Sequence, residues 1–166
     1  MADKILKHWI EQTLLTSCAW AEAREEGEEG MQAVINVVMN RVQAGLAPTI
    51  KEAILEPYQF AWTNPEDEHY AEVLQTIGGV WPEAWWTAND IACDALSGKL
   101  EDLTKGATHF INIPLTQKTR KELGYKVDLP KWAKDGLENG KVTVEIGQHT
   151  FFRLVQGGTH SAGESD

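Results

Sequence analysis

The stretch "AWAEAREEGEEGM", residues 19–31, places five glutamates, Glu22, Glu25, Glu26, Glu28 and Glu29, within eight positions. Carboxylates at this density are either a solvated helix end or the seat of proton-transfer chemistry. Projecting the segment at roughly 100° per residue separates them. Leu14, Leu15, Cys18, Ala19 and Ala21 define an apolar face, and Glu22 falls inside it, between the directions of Leu15 and Cys18. Glu25 and Glu26 project to either side, while Trp20 and Arg24 point elsewhere. A carboxyl on a buried face is costly unless it is paired, protonated or lining a cavity. Desolvation raises its pKa toward neutrality, the state a glycosidic general acid requires. Geometry alone leaves two readings of Glu22 open, a buried ion-pair member and a proton donor. Glu28 and Glu29 need neither, because carboxylates in a first turn sit favourably at the positive end of a helix.

The elements that must position these groups are mostly helical. Leu6, Ile10, Leu14, Leu15 and Cys18 recur at helical spacing, which predicts one or two helices from residue 4 to about 26, with Gly27 and Gly30 marking a break. The next helix, about 29–44, is apolar on nearly every side and belongs in the middle of a domain. Gln32, Asn36 and Asn40 form its one polar stripe, and buried amides there must bond neighbouring backbone or line a polar cleft. Thr49 caps a short helix that ends at Leu55, before Pro57. "PYQFAWTNPEDEH" reads as an aromatic-rich loop, residues 69–77 as a short helix, and Pro82 opens a helix to Leu96 that Gly98 closes. Beyond residue 100, "KGATHFINIP" reads as a strand or extended loop, and "KVTVEIGQHTFFRLV" alternates about a glycine as a small β-hairpin does. The expectation is an α+β, mostly helical single domain over residues 1–155 with a small C-terminal β-hairpin, followed by a Gly/Ser-rich flexible tail, 156–166.

Composition narrows the partners. The 166 residues carry a formal charge of −10, which argues against nucleic acid and against adhesion to an anionic membrane. No apolar run approaches the length of a membrane span, so stable membrane insertion is not expected. Cys18 and Cys93 each lie in an apolar helical pattern and read as buried free thiols. No Cys/His spacing resembles a zinc site, so neither metal nor cofactor is expected. The opening "MADKILKHWIEQTLL" has scattered charges in place of an uninterrupted apolar stretch, which predicts a chain made without a signal peptide and cytoplasmic on synthesis.

Several segments carry a resemblance. "AWAEAREEGEEGMQAVINVVMNRV" resembles the opening of the SleB-type cell wall hydrolase family, in which an E-A-R-x-E-x-x-x-G segment leads into a buried helix ending in N-R-V. "EPYQF" is similar to that family's P-x-Q-F loop, "GKLEDLTKGATHFIN" to its D-P-T-x-G-A-x-x-F segment, and "KWAK" and "IGQHTFFR" to its closing elements. The five segments occur in the family's order over about residues 12–154. Glu25, Leu103 and Lys105 depart from the pattern. The resemblance implies a lysozyme-like, lytic-transglycosylase-related domain that cleaves the glycan strands of peptidoglycan. It also implies that Glu22, the glutamate of the "EAR" element, is the catalytic acid. A bare domain without a signal resembles a phage-type lysis enzyme acting on the wall after release, and a monomer is expected.

Glu26, one turn on, is the candidate second carboxylate, placed to orient Glu22 or to hold up its pKa by like-charge repulsion. Gln59 and Phe60 match the P-x-Q-F loop and are candidate sugar contacts, an amide for N-acetyl groups and a ring for packing. Trp62 is a candidate for stacking on sugar. Thr108 and Asn112, on the extended segment, complete the expected wall, with Asn112 equally suited to a turn. His149 beside two Phe reads as a hydrogen-bonded core residue. A transglycosylase needs one carboxyl and a muramidase two. A non-catalytic glycan-binding module on the same fold is the first rival. A stem-peptide amidase or peptidase is the second, although the metal cluster or Cys/His pair it would use is not visible.

Overall fold

A computed structural model describes residues 4–154. Its helices are α1 (Glu11–Ala23), α2 (Gly27–Gln43), α3 (Ile50–Leu55), α4 (Glu68–Gly78), α5 (Glu83–Leu96), α6 (Ile113–Glu122) and α7 (Lys131–Glu138). Its strands are β1 (His109–Ile111), β2 (Val142–Ile146) and β3 (His149–Phe152), and 3-10 turns occupy Leu6–His8, Arg24–Glu26 and Ala61–Thr63. The fold is α+β and mostly helical, as expected. The expected tail, 156–166, lies outside the described residues.

The core is a helical layer in which α1, α2 and α5 pack on one another. α1 is enclosed more completely than a single apolar face implies, since Leu14 through Trp20 are consecutively buried. Trp20, expected to point away, meets Trp85 of α5 edge-on with ring centroids 5.4 Å apart. The buried hydroxyls of Thr16 and Ser17 donate back to the carbonyls of Gln12 and Thr13, which satisfies them inside the helix. Trp81 and Trp86 pair with each other outside this core, centroids 4.8 Å apart, and are partly exposed. Cys18 is buried, but Cys93 is exposed, because α5 buries Trp85, Ala88, Ile91, Ala92 and Ala95 and turns Cys93 outward.

α2 is apolar all round because it is a middle layer. Met31, Val34, Ile35 and Val38 face the helical core, whereas Ala33 and Val37 meet Ala107 and Phe151 on the sheet side. Its amide stripe stitches down the loop before β1. Gln32 and Asn36 donate to the Glu101 carbonyl at 2.9 and 3.0 Å, and Asn36 accepts from the Leu103 N–H at 3.0 Å. Asn40 donates to Asp102, Thr104 and the Ala107 carbonyl. Burial would raise the Asp102 carboxyl, but bonds from Thr104, Asn40 and Gly106 outweigh it and hold the group below its ordinary value. These bonds hold the loop in which Leu103 and Lys105 depart from the family pattern.

The sheet is larger than the expected hairpin. β1 joins it as a third antiparallel strand in the order β1-β3-β2, with His109 opposite Phe152 and Ile111 opposite Thr150. Two helices were not among the expected elements. α6 buries no residue, so it has no apolar stripe, and only Asn112 at its N-cap and Pro114 in its first turn announce it. α7 follows Pro130 and buries only Ala133 and Gly136. Among the described residues no helix is long and apolar enough to cross a membrane.

Candidate active site

A cleft of about 720 Å³ opens where the end of α1 faces the sheet. The Tyr58–Ala61 loop and Asp67 form one side, β1 and Trp132 another, and Gln148 and His149 the far edge. Glu22 lines it from the last turn of α1 and is half-buried. Burial pushes its carboxyl up to about 7, and the charge of Asp67 adds to the rise. One turn earlier, the Cys18 thiol is pushed well above its ordinary value by burial, with Glu22 contributing. It stays protonated, so the ground beneath Glu22 is neutral and apolar.

The neighbouring charge that raises Glu22 is that of Asp67, whereas Glu26 was expected either to orient Glu22 or to hold up its pKa. Asp67 caps α4, its Oδ1 accepting the His69 N–H at 2.9 Å and lying 3.0 Å from His69 Nδ1. Arg24 brings the two helices together: its guanidinium stacks 4.2 Å over Trp20 and bonds both carboxylate oxygens of Glu72 on α4 at 2.9 and 2.8 Å. The Arg of the "EAR" element thus clamps α4, and with it Asp67, against the end of α1 that carries Glu22.

Glu26 does something else. Its Oε2 accepts the Gln148 N–H at 3.1 Å, which ties the turn after α1 to the β2–β3 turn across the cleft edge. Two glycines make room for it. A Cβ at Gly147 would collide with its carboxylate, and one at Gly30 with its Cβ. Glu26 also faces His149, whose pKa burial lowers and Glu26 partly restores. His149 lies half-buried at the cleft edge, edge-on to Phe110, and not in the core.

The sheet side is braced by Arg41, which is 5% exposed. It donates to Glu56 at 2.8 Å and to the Thr108 carbonyl at 3.3 Å, and its Nη1 lies 3.4 Å from His109 Nε2. Burial lowers its pKa and Glu56 opposes that effect. The His109 ring packs on Trp132 with centroids 5.3 Å apart.

Gln59 and Phe60 do line the cleft, with Phe60 buried against Phe110. Thr108 lies in the wall, but its hydroxyl is committed to both the N–H and the carbonyl of Leu154 and to His109 Nδ1. Asn112 lines the cleft while capping α6 through the Leu115 N–H, and its amide donates to Gln148 at 3.2 Å. Trp62 is corrected: it is 1% exposed in the helical core and absent from the cleft lining, so it has no face for a sugar. The reading of the sequence missed Asp67, His69, Tyr58 and Trp132 as cleft residues. Asp67 had a signal, an acidic N-cap just before the apolar run of α4, that was absorbed into an aromatic loop. Among the described residues no group of His, Cys, Asp and Glu could hold a metal ion.

Glu22 is thus a half-buried carboxyl of raised pKa lining an open cleft, the arrangement that general acid catalysis requires. A model described as "Cell Wall Hydrolase" matches residues 25–152, and the chain belongs to that family. The match begins just past Glu22. The chain is also similar to a spore cortex-lytic enzyme of Oceanobacillus iheyensis, 35% identical over 74 residues. That similarity covers 40% of this chain and 27% of the relative's length. No solved structure matches.

Proposed function

We propose that this chain cleaves peptidoglycan glycan strands at the β-1,4 link between N-acetylmuramic acid and N-acetylglucosamine, with Glu22 as general acid. The carrying observation is that carboxyl, half-buried in the cleft and held protonated near neutrality. Family membership and the spore cortex-lytic relative support the substrate class. Scission requires a proton on the departing glycosidic oxygen while an oxocarbenium-like centre develops on the muramic ring. Glu22 supplies that proton as the C–O bond breaks. In the lytic transglycosylase mode, which we favour, the Glu22 carboxylate then takes the proton from the muramic C6 hydroxyl. That oxygen closes on its own anomeric carbon to give a 1,6-anhydro end. Glu22 is regenerated, and no second carboxylate is consumed.

One observation favours the hydrolytic alternative. Asp67 is a second carboxylate in the same cleft, and both its contacts to His69 fall on Oδ1. Oδ2 is then the oxygen available to activate water. Mass spectrometry of released muropeptides decides between the modes. Products lighter by one water are expected, reducing ends would establish hydrolysis, and free stem peptides would overturn the glycosidase reading. Action on the wall after release, as in phage-type lysis, is the setting we propose.

A further inference from the structure

The loop that reaches the cleft contains a residue its backbone does not favour. The Gln59 N–H donates to the Glu56 carbonyl at 3.2 Å, closing a four-residue turn with Pro57 second and Tyr58 third. Tyr58 has φ 65°. Proline at the second position and positive φ at the third define a type II turn, whose third residue is ordinarily glycine or asparagine. A bulky side chain there is strained.

Packing does not compensate for that strain, since Tyr58 is 68% exposed. Its neighbours hold the turn firmly: Glu56 is bonded by Arg41 at 2.8 Å, and Phe60 is 4% exposed against Phe110. The turn is thus anchored at both ends while its tip presents an aromatic ring at the rim of the cleft that contains Glu22. An exposed ring on a rigid, strained turn has the features of a binding platform: a flat apolar face, few rotatable bonds and little entropy left to lose.

We propose that Tyr58 is a sugar-binding platform, a subsite at the cleft rim where the apolar C–H face of a pyranose ring stacks on the phenol. The occupant is an uncharged sugar of the glycan strand, which suits a ring without a formal charge on a chain of net charge −10. Stacking makes the ring face the binding element and leaves the hydroxyl dispensable.

This inference rests on the glycan-cleaving reading, and its test keeps the two apart. Tyr58→Gly and Tyr58→Asn both suit a positive φ and remove the ring, whereas Tyr58→Phe keeps it. Cleavage of purified peptidoglycan by the wild type is scored first; its absence overturns the glycan-cleaving reading and this inference with it. Given cleavage, Tyr58→Gly is expected to raise KM about five- to tenfold with kcat within about twofold, while melting about 2–4 °C higher as the strain is relieved. Tyr58→Asn follows it in KM, and Tyr58→Phe stays within about twofold of wild type. In a Glu22→Gln background, sedimentation with peptidoglycan should weaken by the same factor. Unchanged KM and unchanged sedimentation in both ring-less variants would overturn the platform. So would a loss in Tyr58→Phe as large as in Tyr58→Gly, which would assign the effect to the hydroxyl.

Discussion

The two sides of the cleft are held by opposite means. On the helical side, Glu22 sits above Cys18 on a helix buried almost all round, and the environment acts on its carboxyl chiefly by removing water. On the sheet side, polar struts do the positioning. Arg41 bonds Glu56 and the Thr108 carbonyl, Thr108 bonds Leu154, and Asn40 and Asn36 hold the preceding loop. Glu26 and Gln148 join the two sides at one edge. The apolar side therefore sets proton affinity, and the polar side sets geometry. Substitutions on the first should change pH dependence, and those on the second should change stability.

The largest effect is expected from Glu22→Gln. Turbidity loss of peptidoglycan suspensions should slow by about a thousandfold with the fold intact. The same substitution has a signed effect on stability. The folded-state pKa of Glu22 is raised above its unfolded value, so its contribution is fully present below about 4.5 and is lost as pH rises through about 7. At pH 8 the Gln variant should therefore gain on the wild type, by on the order of 2 kcal/mol in urea unfolding, whereas at pH 4 it should not. Arg41→Met comes next, costing about 2–3 kcal/mol at any pH between 5 and 8, because Glu56 and the Thr108 carbonyl lose a buried donor. Fluorescence-detected urea denaturation checks this, and a cost that varied strongly with pH would blur the division between the two sides.

The helical side was more legible in the sequence than the sheet side, for physical reasons. An all-round apolar α2 announces a middle layer, and the Gln32, Asn36, Asn40 stripe announces a polar partner four residues at a time. Glu22 was found by an argument that was only half right. α1 has no single buried face, as Trp20 shows, and what distinguishes Glu22 is its place where α1 opens into the cleft. Asp67 and Tyr58 were missed because periodicity is silent in loops, where a cap and a turn type carry the information. Trp62 was misplaced since sequence cannot tell a loop aromatic facing sugar from one facing the core. α6 lay hidden because an exposed helix needs no apolar stripe.

Two smaller effects sharpen the comparison. Gly147→Ala forces a Cβ into the Glu26 carboxylate at φ 57°, and about 1–2 kcal/mol should be lost, with the edge joining the two sides loosened. Glu26→Gln retains an oxygen to accept from the Gln148 N–H and should be milder than Gly147→Ala when the two variants are compared by thermal melting. Asp67→Asn should be the smallest in stability, since asparagine also caps a helix. By removing the neighbouring charge it should move the alkaline limb of the cleavage rate to lower pH by about half a unit to one unit.

The central claim is that the helical side keeps Glu22 protonated near neutrality. A carbon-13 NMR titration of the Glu22 carboxyl tests it most directly, with the resonance assigned through Glu22→Gln. The account predicts a midpoint of about 7 in the wild type, falling in Asp67→Asn. A midpoint near the ordinary glutamate value of 4.5 would contradict it.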